Sequence, residues 1–274
     1  MTGSAARLPV VFFGHGSPMI ALETNATTEK WAQIAAAVGK PKAILCVSAH
    51  WLTKNIAVTA MSAPRTIHDF GAFPQALFDV QYPAPGDVAL ARRVRDLLAP
   101  EPVELDEASW GLDHGTWSVL SKAYPDADIP VVQLSMDTRL GPQGHFDIGR
   151  RLRPLRDEGV LIIGTGNIVH NLSRMDWSAR YGQAFPWASR FNDHIRDAIR
   201  DDTPQQAVDF AAFGADAALS VPSPDHYWPL LYVLGARHDE DVAAFGPDHI
   251  EHGSLSMTSV TLQQPASASS HGIG

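Results

Sequence analysis

Three short apolar runs in this chain lead to a histidine. Val10-Val11-Phe12-Phe13-Gly14 runs into His15, and Ile44-Leu45-Cys46-Val47-Ser48-Ala49 runs into His50. Val160-Leu161-Ile162-Ile163 is followed within a few residues by His170. Unbroken apolar runs of this length, closed by turn residues, suit strands buried on both faces, as in sheets covered by helices on each side. Ligands of open α/β sheets bind outside the carboxyl ends of the strands, where the connecting loops converge. Three imidazoles from distant segments are thus expected at one edge of one sheet. A single histidine in such a place is as often a hydrogen-bonded loop residue as a ligand; the threefold recurrence is what weakens that ordinary explanation.

The remaining pattern fits the same architecture. Strands are expected at 8–13, 43–49, 56–61, 103–105, 129–135, 160–164 and 255–262. Helices are expected from a Thr27 or Thr28 cap to Ala37, and at 87–98, 116–123, 146–157, 186–200, 204–213 and 224–234. Residues 62–86, rich in proline and glycine, form a long loop, and loops this long inside compact domains are usually functional. Strands alternate with helices and no linker-like stretch divides the chain. The fold class is therefore α/β, a single domain with a central, largely parallel or mixed sheet flanked by helices. The catalytic domain spans 8–263, and the Ser/Ala/Gly-rich stretch 264–274 is expected to be a mobile tail.

Composition excludes several functions. The formal net charge is −9, with 21 Lys and Arg that form no cluster, so a nucleic-acid partner is not expected. The lone Cys46 rules out a disulfide framework or a cysteine-rich zinc module and reads as a small core residue. No apolar run is long enough for a membrane span. Gly14-His15-Gly16 interrupts the first apolar stretch too early for a signal peptide, so a cytoplasmic location is expected. No phosphate, hydrolase or metalloprotease motif is complete. Gly164-x-Gly166 follows a strand but lacks the third glycine of a dinucleotide loop, and Ser17 precedes Pro18 where a nucleophile elbow would need a helix.

What stands out is twelve histidines. Beyond the three at strand ends, His226 lies in the first turn of a proline-stiffened helix start, Pro222-Ser223-Pro224-Asp225-His226, where the helix dipole disfavours the charged ring. Glycines flank His114 and permit close approach of backbone to a ligand. His68 lies in the long loop beside Asp69, an acid able to orient its ring. His145, His194, His238, His249, His252 and His271 sit in polar stretches and read as solvated. Arg65 is a candidate for a substrate carboxylate, though an exposed arginine is the plainer reading. Arg150, Arg151, Arg153 and Arg156 are placed on the wet side of their helix.

Seven blocks, taken together, resemble a known family: Gly14-His15-Gly16-Ser17-Pro18-Met19, Ser48-Ala49-His50-Trp51, Thr66-Ile67-His68-Asp69-Phe70, Tyr82-Pro83-Ala84-Pro85-Gly86, Gly111-Leu112-Asp113-His114-Gly115, Gly166-Asn167-Ile168-Val169-His170-Asn171-Leu172 and Asp225-His226-Tyr227-Trp228-Pro229-Leu230. They are similar to the class III extradiol ring-cleavage dioxygenases, and most like their 4,5-DOPA branch. The blocks stand in family order from about residue 9 to about residue 262.

The resemblance implies a metal held by His15, His50 and His226, with His170 in reach as a further ligand or as the acid/base. It implies catalytic roles for His170 and His114, and a substrate pocket lined by His68, His114 and Tyr227. The cofactor implied is one divalent metal per chain, Fe(II) for activity, with Zn(II) possible in the isolated protein. The partners implied are a small aromatic diol and O2; oligomeric state is left open. A zinc-dependent hydrolase on the same histidines is the alternative, distinguished by turnover without oxygen.

Overall fold

The computed structural model describes residues 7–179 and 182–265. The expected tail falls almost wholly outside them, as does His271. Ten strands lie at Val10–Gly14 (β1), Ala43–Thr53 (β2), Ile56–Thr59 (β3), Val103–Asp106 (β4), Val131–Asp137 (β5), Val160–Gly166 (β6), Val242–Phe245 (β7), Ile250–Glu251 (β8), Leu255–Ser256 (β9) and Val260–Gln263 (β10). Helices occupy Ala26–Val38 (α1), Gln75–Phe78 (α2), Val88–Leu97 (α3), His114–Ala123 (α4), Pro142–Leu152 (α5), Pro186–Arg200 (α6), Pro204–Val208 (α7), Ala215–Ser220 (α8) and Trp228–Gly235 (α9).

Eight strands form one sheet in the order β4-β3-β5-β2-β6-β1-β10-β7, and β8 pairs with β9 in a separate hairpin. The central strands β5, β2, β6 and β1 run parallel, while β10 and β7 close one edge antiparallel. This is the expected α/β domain with a mixed, mostly parallel sheet. Alternate residues of the central strands feed two cores. Val10, Phe12, Leu45, Val47 and Ile162 pack under α3, α5, α6 and α9. Val11, Phe13, Ile44, Cys46, Leu161 and Ile163 pack under α1 and α4, around Trp31 and Trp117. Burial on both faces explains why these strands read as unbroken apolar runs.

The structure corrects several expectations. Helix α1 is capped by Asn25, whose side chain accepts from Thr27 and Thr28 N–H, while the Thr28 hydroxyl closes a capping box. Helix α5 begins at Pro142, and the chain tightens to a 3-10 turn over Arg153–Arg156, where Pro154 cannot continue the α-helical bonding. Arg156 is not on a wet side. It is fully buried, donating to Asp241 at 2.5 Å and to the carbonyls of Leu8 and Ala236, so its charge is paired rather than solvated. The expected helix 224–234 starts only at Trp228, and the expected final strand breaks into β9 and β10. Strand β7, with its mixed exposure, gave no apolar signal.

Candidate active site

At the carboxyl edge of the central strands lies a cleft of about 500 Å³ lined by His15, His50, His114, His170 and His226. His15 follows β1 directly, and its N–H donates to the Gly166 carbonyl at the end of β6. His50 sits inside β2, which runs on to Thr53 past a register shift between Val47 and Leu52. His114 opens α4, capped by Asp113, whose carboxylate accepts from Thr116 N–H. His170 is held after β6 by an isolated bridge to Leu255. His226 immediately precedes Tyr227, the residue before the first turn of α9.

Two glycines permit this convergence. A Cβ on Gly166 would lie 2.2 Å from the His226 carbonyl oxygen, and one on Gly115 would lie 2.7 Å from a ring carbon of His50. The Gly164-x-Gly166 pair therefore serves close packing of the His226 segment rather than a dinucleotide. Asn167, buried beside it, donates to the carbonyls of His15 and Ser256 and receives the His226 carbonyl on its own N–H at 2.7 Å. One residue thus joins three of the segments that build the site, two through its side chain and one through its backbone N–H.

The ring geometry sorts the histidines. The Nε2 atoms of His15 and His50 face each other at 3.1 Å. The donor atoms of His15, His50 and His114 all lie within 4.8 Å of one another. Ring centroids of His15, His50 and His226 stand 5.4, 5.6 and 5.0 Å apart. His114 lies only 3.8 Å from His50, while His170 stacks on His226 at 3.6 Å, parallel to within 3°.

Burial favours the neutral form of three of these rings. It lowers the His15 and His50 pKa values well below the usual imidazole range, and the neighbouring histidines add to the effect. Burial, then His226, brings His170 down to about 3, against the opposing pull of Asp225. Neutral imidazole is the form that binds metal. Two carboxylates flank the rings: Asp225 Oδ2 lies 2.5 Å from His226 Nδ1, and Asp69 Oδ2 lies 2.9 Å from His114 Nδ1. Burial would raise the Asp225 pKa, but the bond to His226 outweighs it and holds the carboxyl far below its ordinary value.

The sequence profile described as the catalytic LigB subunit of aromatic ring-opening dioxygenase matches residues 11–262. The chain belongs to this dioxygenase family. It is 48% identical over 261 residues to the Escherichia coli (strain K12) 4,5-DOPA dioxygenase extradiol, covering 94% of this chain and 96% of that one. It is 37% identical to the Beta vulgaris protein of the same description, over 88% and 91% of the two chains. A crystal structure of an uncharacterized protein from Escherichia coli K12 superposes with a TM-score of 0.81 at 43% identity, covering 93% of this chain and 99% of that one.

The protein is thus an aromatic ring-opening dioxygenase of the extradiol type, with an aromatic substrate and O2 as its partners. The family implies a divalent metal, and the clustered imidazoles supply a donor set suited to one. Membership decides for oxygen chemistry over the hydrolytic alternative. Among the described residues no helix is long and apolar enough to cross a membrane.

Two substrate-binding expectations for this dioxygenase do not match where the side chains lie. Tyr227 is buried, donating its hydroxyl to the Ala207 carbonyl and packing on Phe210, away from the cleft. His68 is not among the residues lining the cleft: its ring packs among Phe70, Phe78 and Trp117, and its Nε2 bonds the Val80 carbonyl at 3.0 Å. His145 is wholly buried against Trp228 and Tyr232 rather than solvated, and His194, His238, His249 and His252 are half-buried. The cleft wall instead includes Asp69, Phe70, Phe73, Met175 and Trp177. Asp225 was detectable from its adjacency to His226. Asp69 was visible only as a neighbour of His68.

Proposed function

We propose that the protein opens a DOPA-like or related substituted catechol beside its two hydroxyls, inserting O2 to give a semialdehyde. His15, His50 and His226 would hold one divalent metal. Their ring centroids stand 5.0, 5.4 and 5.6 Å apart, which leaves room for one ion between the three rings. His114 also brings a donor atom within 4.8 Å of those of His15 and His50, but its Nδ1 lies against Asp69, and His170 lies flat against His226 instead of converging with it. Fe(II) is the active metal on this reading: held by these rings it would supply the redox chemistry between catechol and O2 that the filled d shell of zinc lacks. Zn(II) fits the same nitrogens in isolated protein.

His170, which lines the cleft beside His226, would accept a proton from one substrate hydroxyl, a general-base role. His114 holds the other hydroxyl through the nitrogen not turned to Asp69. Phe70 and Phe73 border the aromatic ring and keep water from it. The reading places the enzyme in the cytoplasm, where reducing conditions preserve ferrous iron and the buried thiol of Cys46.

The observation that carries the proposal is the convergence of five histidines on one cleft in a chain closely similar to 4,5-DOPA extradiol dioxygenases. Anaerobic reconstitution with Fe(II), followed by O2 and a catechol panel that includes DOPA, is expected to consume oxygen and yield a yellow semialdehyde. No oxygen uptake with any catechol would overturn it.

A further inference from the structure

We propose that Asp69 is a positioning residue of this centre, fixing the ring of His114 and thereby the nitrogen it presents to substrate. One oxygen of the carboxylate accepts the His114 backbone N–H at 2.9 Å, and the other lies 2.9 Å from Nδ1 of the same residue. The backbone of His114 is thus held by this carboxylate at the first turn of α4, and its buried Nδ1, which makes no other hydrogen bond among the described residues, lies beside the second oxygen. The second oxygen also lies 3.9 Å from Nδ1 of His50, so the carboxylate faces the Nδ1 side of two adjacent rings. A carboxylate accepts only, so the His114 tautomer it favours carries the proton on Nδ1 and leaves Nε2 as the bare nitrogen.

Asp69 is itself placed before any substrate arrives. Its loop is tied down on both sides: Trp117 Nε1 donates to the Ile67 carbonyl at 2.8 Å, Ile67 N–H donates to Leu112, and His68 bonds Val80. Phe70, the next residue, packs its ring on His114, Phe73 and Phe78. His68 and Asp69 therefore divide the work. The histidine anchors the loop from behind, and the acid points into the cleft. Carboxylates behind site histidines fix ring orientation, and their loss commonly costs about 10–100-fold in activity or metal affinity.

The test pairs spectroscopy with kinetics on the full chain, and its kinetic half rests on the catechol reading above. In 15N,13C-histidine-labelled protein, metal-free and Zn(II)-loaded, His114 is expected as the Nδ1–H tautomer, and Asp69→Asn is expected to shift it towards Nε2–H. In the Fe(II) enzyme, D69N should lower kcat about 10–100-fold while KM stays within about twofold and metal content is unchanged. An Nε2–H tautomer in the unsubstituted protein overturns the proposal even if D69N fails to fold. So does a D69N enzyme with unaltered kcat, or one whose loss merely follows lost metal and a lowered Tm. If the unsubstituted enzyme opens no catechol, the functional reading fails, while the tautomer still decides the role of Asp69.

Discussion

The two walls of the cleft are built by different means. On one, Asp225 and His226 are chain neighbours, and their pair stacks on His170. On the other, Asp69 reaches His114 across 45 residues of sequence, from a loop stapled to α4. The same carboxylate–imidazole unit appears twice, once assembled locally and once by tertiary packing. On the proposed reading the local unit would supply a metal ligand and the assembled unit the substrate side, where a shift of the loop would alter geometry without removing the ion.

Several substitutions test that division. The largest effect is expected from His226→Ala, which should abolish both metal retention and oxygen uptake, whereas His114→Ala keeps its metal and loses turnover. Metal analysis beside an oxygen electrode checks this, and a metal-free H114A protein would break the comparison. His170→Gln removes the base from the first wall and should lower kcat by about 10²–10⁴-fold with the metal in place. Asp225→Asn should instead weaken metal binding by about 10–100-fold, as read by competition with a chelator.

Acid probes the buried rings outside the cleft as well. His145 stays neutral to about 4 because burial lowers its pKa, whereas in the unfolded chain it protonates near 6.5. Its depressed folded value means that stability falls as pH drops from about 6.5 towards 4, by up to about 3 kcal/mol. His145→Phe should therefore move the midpoint of acid unfolding to lower pH; an unchanged midpoint would count against the buried neutral ring. The smallest effect is expected from Gly115→Ala, whose Cβ meets Ser48 Oγ at 2.5 Å and the His50 ring at 2.7 Å. Overpacking there should cost about 1–3 kcal/mol, measured by denaturant unfolding.

The same contrast explains what could be read from sequence. Strands β1, β2 and β6 were legible because burial on both faces leaves a continuous apolar run; His15 and His170 follow their strands as expected, whereas β2 runs on past His50 to Thr53. Strand β7, exposed at alternate positions on the sheet edge, carries no such run. His226 fell outside the strand-end rule, and the family blocks brought it in. Tyr227 was misplaced because a residue beside a site histidine turns the other way at the helix start. Asp69 was misread because adjacency in sequence suggested His68 as its partner, whereas its actual partner depends on where the loop lies against α4. Arg156 and His145 went wrong for a shared reason: a charged or polar residue type says nothing of a partner such as Asp241 or Tyr232 far along the chain.

Trp177 stands at the cleft mouth with 77% of its surface exposed, its ring against His252, while Trp31 and Trp117 are wholly buried. Its indole emission should therefore be red-shifted and open to collisional quenchers such as acrylamide, unlike that of the core indoles. A ligand entering the cleft would shield it. The enzyme thus carries a native optical reporter of occupancy, readable under anaerobic conditions before any oxygen is admitted.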